Sequence, residues 1–151
     1  MATYESLTAA IDQVIDYFNV RRLDLPDGFF ERQTQFLLNG APFETLLSAT
    51  PNDPLILMLA RGPAGFRFTA KALQYAVPDA RLDRGAVATD GDPFKLTLQL
   101  WLSGTLRGSG EKINSLVAVT LRLAPAGHVG IAEALIDAGD LERIRQARIT
   151  P

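Results

Sequence analysis

Tyr4, Leu7, Ile11, Val14 and Phe18 recur at spacings of three and four residues, one stripe of an amphipathic helix. Asp12, Gln13 and Asp16 turn away from that stripe, and the helix is expected to end near Val20. A short second helix is expected after Pro26, carrying Phe29, Phe30 and Gln33. In "TQFLLNGAPFETLL", Asn39-Gly40 stands between two apolar runs. A type I′ hairpin turn needs two residues that tolerate positive φ, so strands are predicted at 34–38 and 41–46. Pro42 has no N–H for a ladder, so this hairpin is expected at a margin of the sheet, or in place of part of a helix there. The stretch from Thr50 to Val77 reads as mostly helical. Thr50 and Asp53 form a capping arrangement ahead of Leu55–Leu59. Gly62-Pro63 then divides that element from the next, whose face is marked by Phe66, Thr69, Ala70, Leu73 and Val77. Pro78-Asp79 stops it.

After Asp79 the hydrophobic period changes to two. "ARLDRGAVATD" predicts a strand that ends at the Asp90-Gly91-Asp92 turn. "FKLTLQLWLSGTL" alternates, with Phe94, Leu96, Leu98, Leu100 and Leu102 on one face. Lys95, Thr97, Gln99, Trp101 and Ser103 take the other face. After the loop "RGSGEK", "INSLVAVTLRLAP" predicts a long strand with Ile113, Val117, Val119, Leu121 and Leu123 on one side. "AGH" turns the chain into "VGIAEALID", and a helix is predicted from about Ala138 to Ile149. Helices followed by long antiparallel strands predict an α+β fold: a cone-shaped, curved antiparallel or mixed sheet wrapped around the N-terminal helices. An early hairpin and a C-terminal helix complete it. Such a sheet, with helices on its concave side, encloses a conical pocket.

Composition narrows the chemistry. A chain of 151 residues with 47% apolar and 21% charged residues is expected to be one domain over 1–151. A mean hydropathy of +0.08 suggests additional buried surface, in a lined cavity or a subunit interface. The net charge of −2, with interspersed signs, leaves no basic field for nucleic acid. With no cysteine and one histidine, His128, thiolate chemistry, disulfides and His- or Cys-rich metal sites are excluded, and no cofactor is expected. The N-terminus has no basic residue before Arg21, and the longest apolar run, Leu55 to Ala60, is too short to cross a bilayer. A soluble cytoplasmic protein without membrane contact is the expectation.

Several turn positions carry a family resemblance. Gly62 before a helix, Pro78-Asp79 after it, Gly91-Asp92, Gly104-Thr105 and Gly108 follow a pattern similar to the polyketide-cyclase-like branch of the nuclear transport factor 2-like superfamily. Gly127, Asp137 and Leu141 fit its tail, so the resemblance covers about residues 60 to 145. It implies a cone-shaped α+β barrel with a deep apolar pocket, and a homodimer packed through the outer sheet. It also implies a range of roles, from isomerases, cyclases, dehydratases and epoxide hydrolases to proteins that only bind or assemble. The epoxide-hydrolase pattern departs here. Arg81-x-Asp83 comes too early for it, and the central strand carries Thr97, Gln99 and Trp101 instead. Arg81 and Asp83 read better as an exposed cross-strand pair.

The candidate chemistry is sparse. In "VGIAEALID", strict alternation puts Glu133 and Asp137 on a face with Val129, Ile131 and Leu135. A carboxylate on an apolar face would serve as a general acid or base. Asp137 has a second role open to it, capping the final helix, and Glu133 could equally sit at a solvated sheet rim. Asp12 and Asp16 form a like-charged pair four residues apart. Asp16 or Tyr17 would match, by location alone, the early-helix residue that joins the pocket in ketosteroid-isomerase-like relatives. Phe18, Phe66, Leu73, Leu98 and Val119 are the expected pocket residues. Trp101, a large aromatic on the polar face, is expected to anchor an interface with Gln99 and Thr97, the alternative being that it lines the pocket with the leucine stripe outside. His128 falls in a turn, and Asn114 and Ser115 read as turn residues or ligands. The expected function is binding of a hydrophobic small molecule, with cofactor-independent isomerase, cyclase or dehydratase chemistry carried by Asp137 or Glu133. The alternative is a non-catalytic ligand-binding or dimeric assembly module.

Overall fold

The computed structural model describes residues 4–22, 30–42, 62–89, 91–92, 94–124 and 128–149. The expected cap at Thr50 and Asp53, the helix over Leu55–Leu59, the second hairpin strand beyond Pro42 and the turn residue Gly127 lie outside these. In chain order the elements are α1 (Tyr4–Asn19), β1 (Phe30–Leu38), β2 (Ala41–Pro42), α2 (Gly62–Ala76), β3 (Arg81–Ala88), β4 (Lys95–Thr105), β5 (Lys112–Leu123), β6 (Val129–Leu135) and α3 (Ala138–Ile149). The sheet order is β2-β1-β6-β5-β4-β3. Strands β1 and β6 are parallel and every other pair is antiparallel, so this α+β fold is built on a mixed sheet. The sheet is open, with β2 and β3 as its edges. Pro42 sits in the edge strand, where its missing donor is tolerated.

Most elements follow from the hydrophobic period. On α1, Leu7, Ile11, Ile15 and Phe18 are buried, the stripe shifted by one residue from Val14 to Ile15 in its third turn. On β4, Leu96, Leu98 and Leu102 are buried while Gln99 and Trp101 are exposed. Phe94, expected at the head of that stripe, precedes the strand and is exposed. Asn39 (φ 51°) and Gly40 (φ 81°) form the predicted two-residue turn. Asn39 also bonds in both directions with the main chain of Ile136, its Nδ2 donating at 3.0 Å and its Oδ1 accepting at 2.8 Å. The hairpin is thereby tied to the end of β6.

One element differs in kind. The helix expected over Phe29, Phe30 and Gln33 is, from Phe30 onward, the first half of β1. Phe30 pairs with Val129 of β6, and Thr34, fully buried, donates its hydroxyl to the Val129 carbonyl at 2.6 Å. A partner strand about a hundred residues away decides this conformation, which local spacing cannot register. A second difference lies in β6. Leu123 pairs with Val129 and Arg122 with Ile131, so Gly130 is an extra residue and the alternation restarts after it. Val129 and Ala132 are therefore both buried, and Glu133 no longer shares a face with Val129.

The inner sheet face is covered by the three described helices, and the tightest packing lies at one end. Ala76, Val77 and Ala80 follow one another at the end of α2 with 0%, 0% and 2% exposure. They pack on Phe18, Leu102, Leu106 and Ile113. The turn they form comes so close to β4 that a Cβ on Gly104 (φ 158°) would overlap a methyl of Val77 and meet Asp79 Oδ1 at 3.0 Å. The main-chain N–H of Thr105 donates to that same Asp79 oxygen at 2.6 Å. This bond is the main reason that the Asp79 carboxyl is held below its ordinary value of 3.8. Arg21 completes the junction. It ends α1 in the left-handed region (φ 66°) usually taken by glycine, and its guanidinium donates to the carbonyls of Ala80 (2.8 Å) and Pro78 (2.7 Å). Asn19 bonds in both directions with the main chain of Leu82. The sequence landmarks Pro78-Asp79 and Gly104-Thr105 are thus two sides of one contact.

Gly104→Ala is expected to lower the unfolding free energy by about 1–3 kcal/mol, the usual cost of an overpacked site. Urea denaturation of the two proteins measures it. An unchanged midpoint would show that the junction has slack.

Candidate functional site

Away from that junction the helices do not close onto the sheet. Helix α1 leans towards β3, where Asp12 pairs with Arg84 at 2.5 Å. Helix α2 leans towards β1, where Phe66 and Phe36 stack obliquely with ring centroids 5.9 Å apart. Between the two helices lies a recess of about 220 Å³. Ile11, Val14 and Ile15 of α1 form one wall, and Phe66, Thr69 and Leu73 of α2 another. Leu141 and Ile144 of α3 close one side, and the floor is the inner face of the sheet. The floor leaves room because the side chains that β6 turns inward, Ala132 and Ala134, are small beside Val119 and Leu121 of β5. Leu100, Val119 and Ala134 stay only half-buried for the same reason.

Four of the five expected pocket residues, Phe66, Leu73, Leu98 and Val119, line this recess. Phe18 does not. It is 2% exposed and belongs to the packed junction at the end of α1. The four expected proton carriers are not brought together. Asp137 is exposed, and its Oδ2 accepts the N–H of Asp140 at 3.0 Å while its carbonyl accepts that of Leu141. Of the two roles open to it, the observed one is the helix cap. Asp16 is exposed on the outer side of α1. Tyr17 lies there too, its hydroxyl accepting from Gln13 Nε2 at 2.7 Å and its ring 4.2 Å from the Arg22 guanidinium. Glu133 is half-buried and is part of the recess wall. Its ladder partners are Leu37 and Thr120, whereas the strand neighbours of those partners (Phe36, Leu38, Val119 and Leu121) face the recess. Alternation therefore turns the Glu133 side chain to the outer face, and its main chain joins the wall.

The outer face carries the expected interface residues. Trp101 and Gln99 are exposed there and Thr97 is half-buried. Trp101 pairs across the ladder with Leu116, and both Gln99 and Leu135 pair with Ala118. Trp101, Leu116 and Leu135 are 44%, 41% and 51% exposed, so three large apolar side chains share this face. Arg81 and Asp83 form the expected exposed ion pair at 3.4 Å. It runs along β3, since their cross-strand partners are Ser103 and Trp101.

Two polar features were not expected from the sequence. Ser115 is 3% exposed and donates to Asp140 Oδ2. Arg143 bonds the other Asp140 oxygen at 3.2 Å and Glu111 at 2.8 Å, and this chain of contacts fastens α3 to β5. The signal for Ser115 was present, because it occupies the inward position between Ile113 and Val117. The second feature is Thr69, a hydroxyl residue within the apolar stripe of α2. It is 8% exposed, it lines the recess, and its Oγ1 has no hydrogen-bond partner among the described residues.

Neither a family model nor a curated protein sequence matches the chain. Solved structures do. A SnoaL-like polyketide cyclase from Agrobacterium tumefaciens superposes with a TM-score of 0.63 at 17% identity, over 95% of this chain and 98% of that one. TsrD from Streptomyces laurentii gives 0.68 at 15% identity, over 97% and 99%. TerC, co-crystallised with polyporic acid, gives 0.63 at 11% identity, over 92% and 97%. The fold is that of SnoaL-like polyketide cyclases, in keeping with the resemblance to the nuclear transport factor 2-like superfamily. Among the described residues no helix is long and apolar enough to cross a membrane.

Replacing Asp137 tests its capping role. Asp137→Ala is expected to cost about 1 kcal/mol and Asp137→Asn much less, since asparagine also caps. Thermal unfolding followed by circular dichroism reads both. Equal losses in the two variants would remove the cap as the explanation.

Proposed function

We propose that this protein binds a small, largely apolar molecule in the recess between α1, α2 and the sheet. The observation that carries this is the recess itself: about 220 Å³, walled by aliphatic and aromatic side chains, with Thr69 and Glu133 as its only polar residues among those described. An apolar hollow with few polar groups is the usual form of a small-molecule site. A structure of the same fold, TerC, was co-crystallised with polyporic acid, which supports occupancy of this fold by a ligand. Acid–base turnover of the isomerase, cyclase or dehydratase kind would rest on Glu133, the one carboxylate residue of the wall among those described. Its register favours binding without that chemistry.

Fluorobenzene, followed by fluorine NMR, is expected to bind saturably. Its affinity is expected to stay constant over the range in which carboxylates and histidine titrate. Ala134→Leu, which pushes a larger side chain into the floor, is expected to weaken binding at least about tenfold, and Glu133→Gln to leave it unchanged. Non-saturable binding, or binding indifferent to Ala134→Leu, would count against the recess. A pH dependence abolished by Glu133→Gln would transfer the assignment to acid–base catalysis.

The outer sheet face favours self-association as a second property. Trp101, Leu116 and Leu135 present apolar surface beside the neutral Gln99 and Ala118, and tryptophan is a frequent interface anchor. Sedimentation velocity is expected to show a homodimer at micromolar concentration, and the double variant Trp101→Glu with Leu116→Glu a folded monomer. A wild-type protein that sediments as a monomer throughout would refute this.

A further inference from the structure

Asn39 and Gly40 carry a reactive bond that the fold holds in check. Asparagine is a chemically labile residue, and a following glycine puts no Cβ in the way of its own main-chain nitrogen. In deamidation the Gly40 nitrogen attacks Asn39 Cγ, the Cγ–Nδ2 bond breaks, and ammonia leaves with the amide proton. Water then opens the resulting succinimide at one of its two C–N bonds. Breaking the bond to the main-chain carbon of Asn39 gives isoaspartate, and breaking the bond to Cγ gives aspartate. Water is the only other reactant. The chain has a single Asn-Gly pair, and Asn39 is exposed to solvent.

Three hydrogen bonds oppose the reaction. Asn39 Nδ2 donates to the Ile136 carbonyl at 3.0 Å, and Oδ1 accepts the Ile136 N–H at 2.8 Å. The Asn39 N–H donates to the Ala134 carbonyl at 2.9 Å. Both heteroatoms of the carboxamide are thus held by another segment of the chain. The side chain swings onto Gly40 only after giving up both bonds. The same bonds tie the hairpin to the end of β6, and Leu38, Ala134 and Ile136 around them line the recess.

We propose that Asn39 is a site of spontaneous deamidation, that its bonds to Ile136 suppress the reaction in the folded protein, and that a ligand in the recess suppresses it further. The last part rests on the reading that the recess binds a ligand. Deamidation proceeds from the opened hairpin, at a rate set by the fraction of molecules in that state. A ligand that binds only the closed form lowers that fraction by mass action. Either product holds the hairpin less well. Aspartate has no donor for the Ile136 carbonyl and sets a charged oxygen against it. Isoaspartate adds a methylene to the main chain of a turn that spans two residues between the paired Leu38 and Ala41.

The test follows the mass gain of one dalton on the peptide containing Asn39, at mildly alkaline pH, together with amide hydrogen exchange at Ile136. Deamidation is expected to be at least about tenfold slower in the folded protein than in concentrated urea. Sub-denaturing urea is expected to speed deamidation and Ile136 exchange by the same factor, since one opening frees both groups. Fluorobenzene at about ten times its dissociation constant is expected to slow both by about tenfold. Asn39→Asp, which reproduces one product and is tolerated in the turn, is expected to lower the urea midpoint. Equal rates in the folded and unfolded protein overturn the protection. Deamidation that stays slow while Ile136 exchanges freely overturns its assignment to these bonds, and an unchanged midpoint in Asn39→Asp overturns the claimed effect of the product. If fluorobenzene binds and the rate does not change, the coupling to the recess is overturned while the protection stands. If fluorobenzene does not bind, the recess reading and the coupling fail together, and the urea comparison alone decides the protection.

Discussion

The close contact between the turn at Val77–Ala80 and Gly104 is the constraint on which this structure depends. The ends of α1 and α2 both meet there, joined by Arg21, whose side chain bridges the carbonyls of Pro78 and Ala80. With the helices held at that end, their remaining turns need not press on the sheet, and they diverge towards β3 and β1. A core held together at its centre would have no hollow. This one is closed at one end by Ala76, Val77 and Phe18, which are almost completely buried, and hollow beyond.

The hollow needs a second condition, small residues in its floor. Ala132 and Ala134 supply it, and they face inward only because Gly130 is an extra residue in β6. Without that bulge, Ile131 and Glu133 would share the inner face with Val129. The bulge thus exchanges a carboxylate and a branched side chain for two methyl groups. The floor of the recess is apolar as a result.

Much of the fold was legible along the chain. The leucine alternation of β4, the stripe of α1, the Asn39-Gly40 turn and the limits of α3 all follow from period, turn chemistry and capping. Four expected pocket residues line the recess because large apolar side chains on the inward period have few other places to go. The candidate site was less legible where it depended on register. Glu133 and Asp137 drew notice as acids in an apolar segment, but one is turned outward by the bulge and the other caps a helix. Thr69 went unremarked as chemistry because it falls on a correct hydrophobic period, where a hydroxyl looks like a tolerated substitution, and Ser115, read as a turn residue or a ligand, is instead an inward strand residue bonded to Asp140.

The amino-acid sequence by itself determined which segments would be helix and which strand wherever period and turn residues agree, because those preferences act over a few neighbouring residues. Tertiary structure alone decided that Phe30–Gln33 is strand, that β6 restarts its alternation at Gly130, and that the Thr69 hydroxyl has no partner among the described residues. Each of these is set by a ladder partner or a packing neighbour far away in the chain, and no local pattern carries that information.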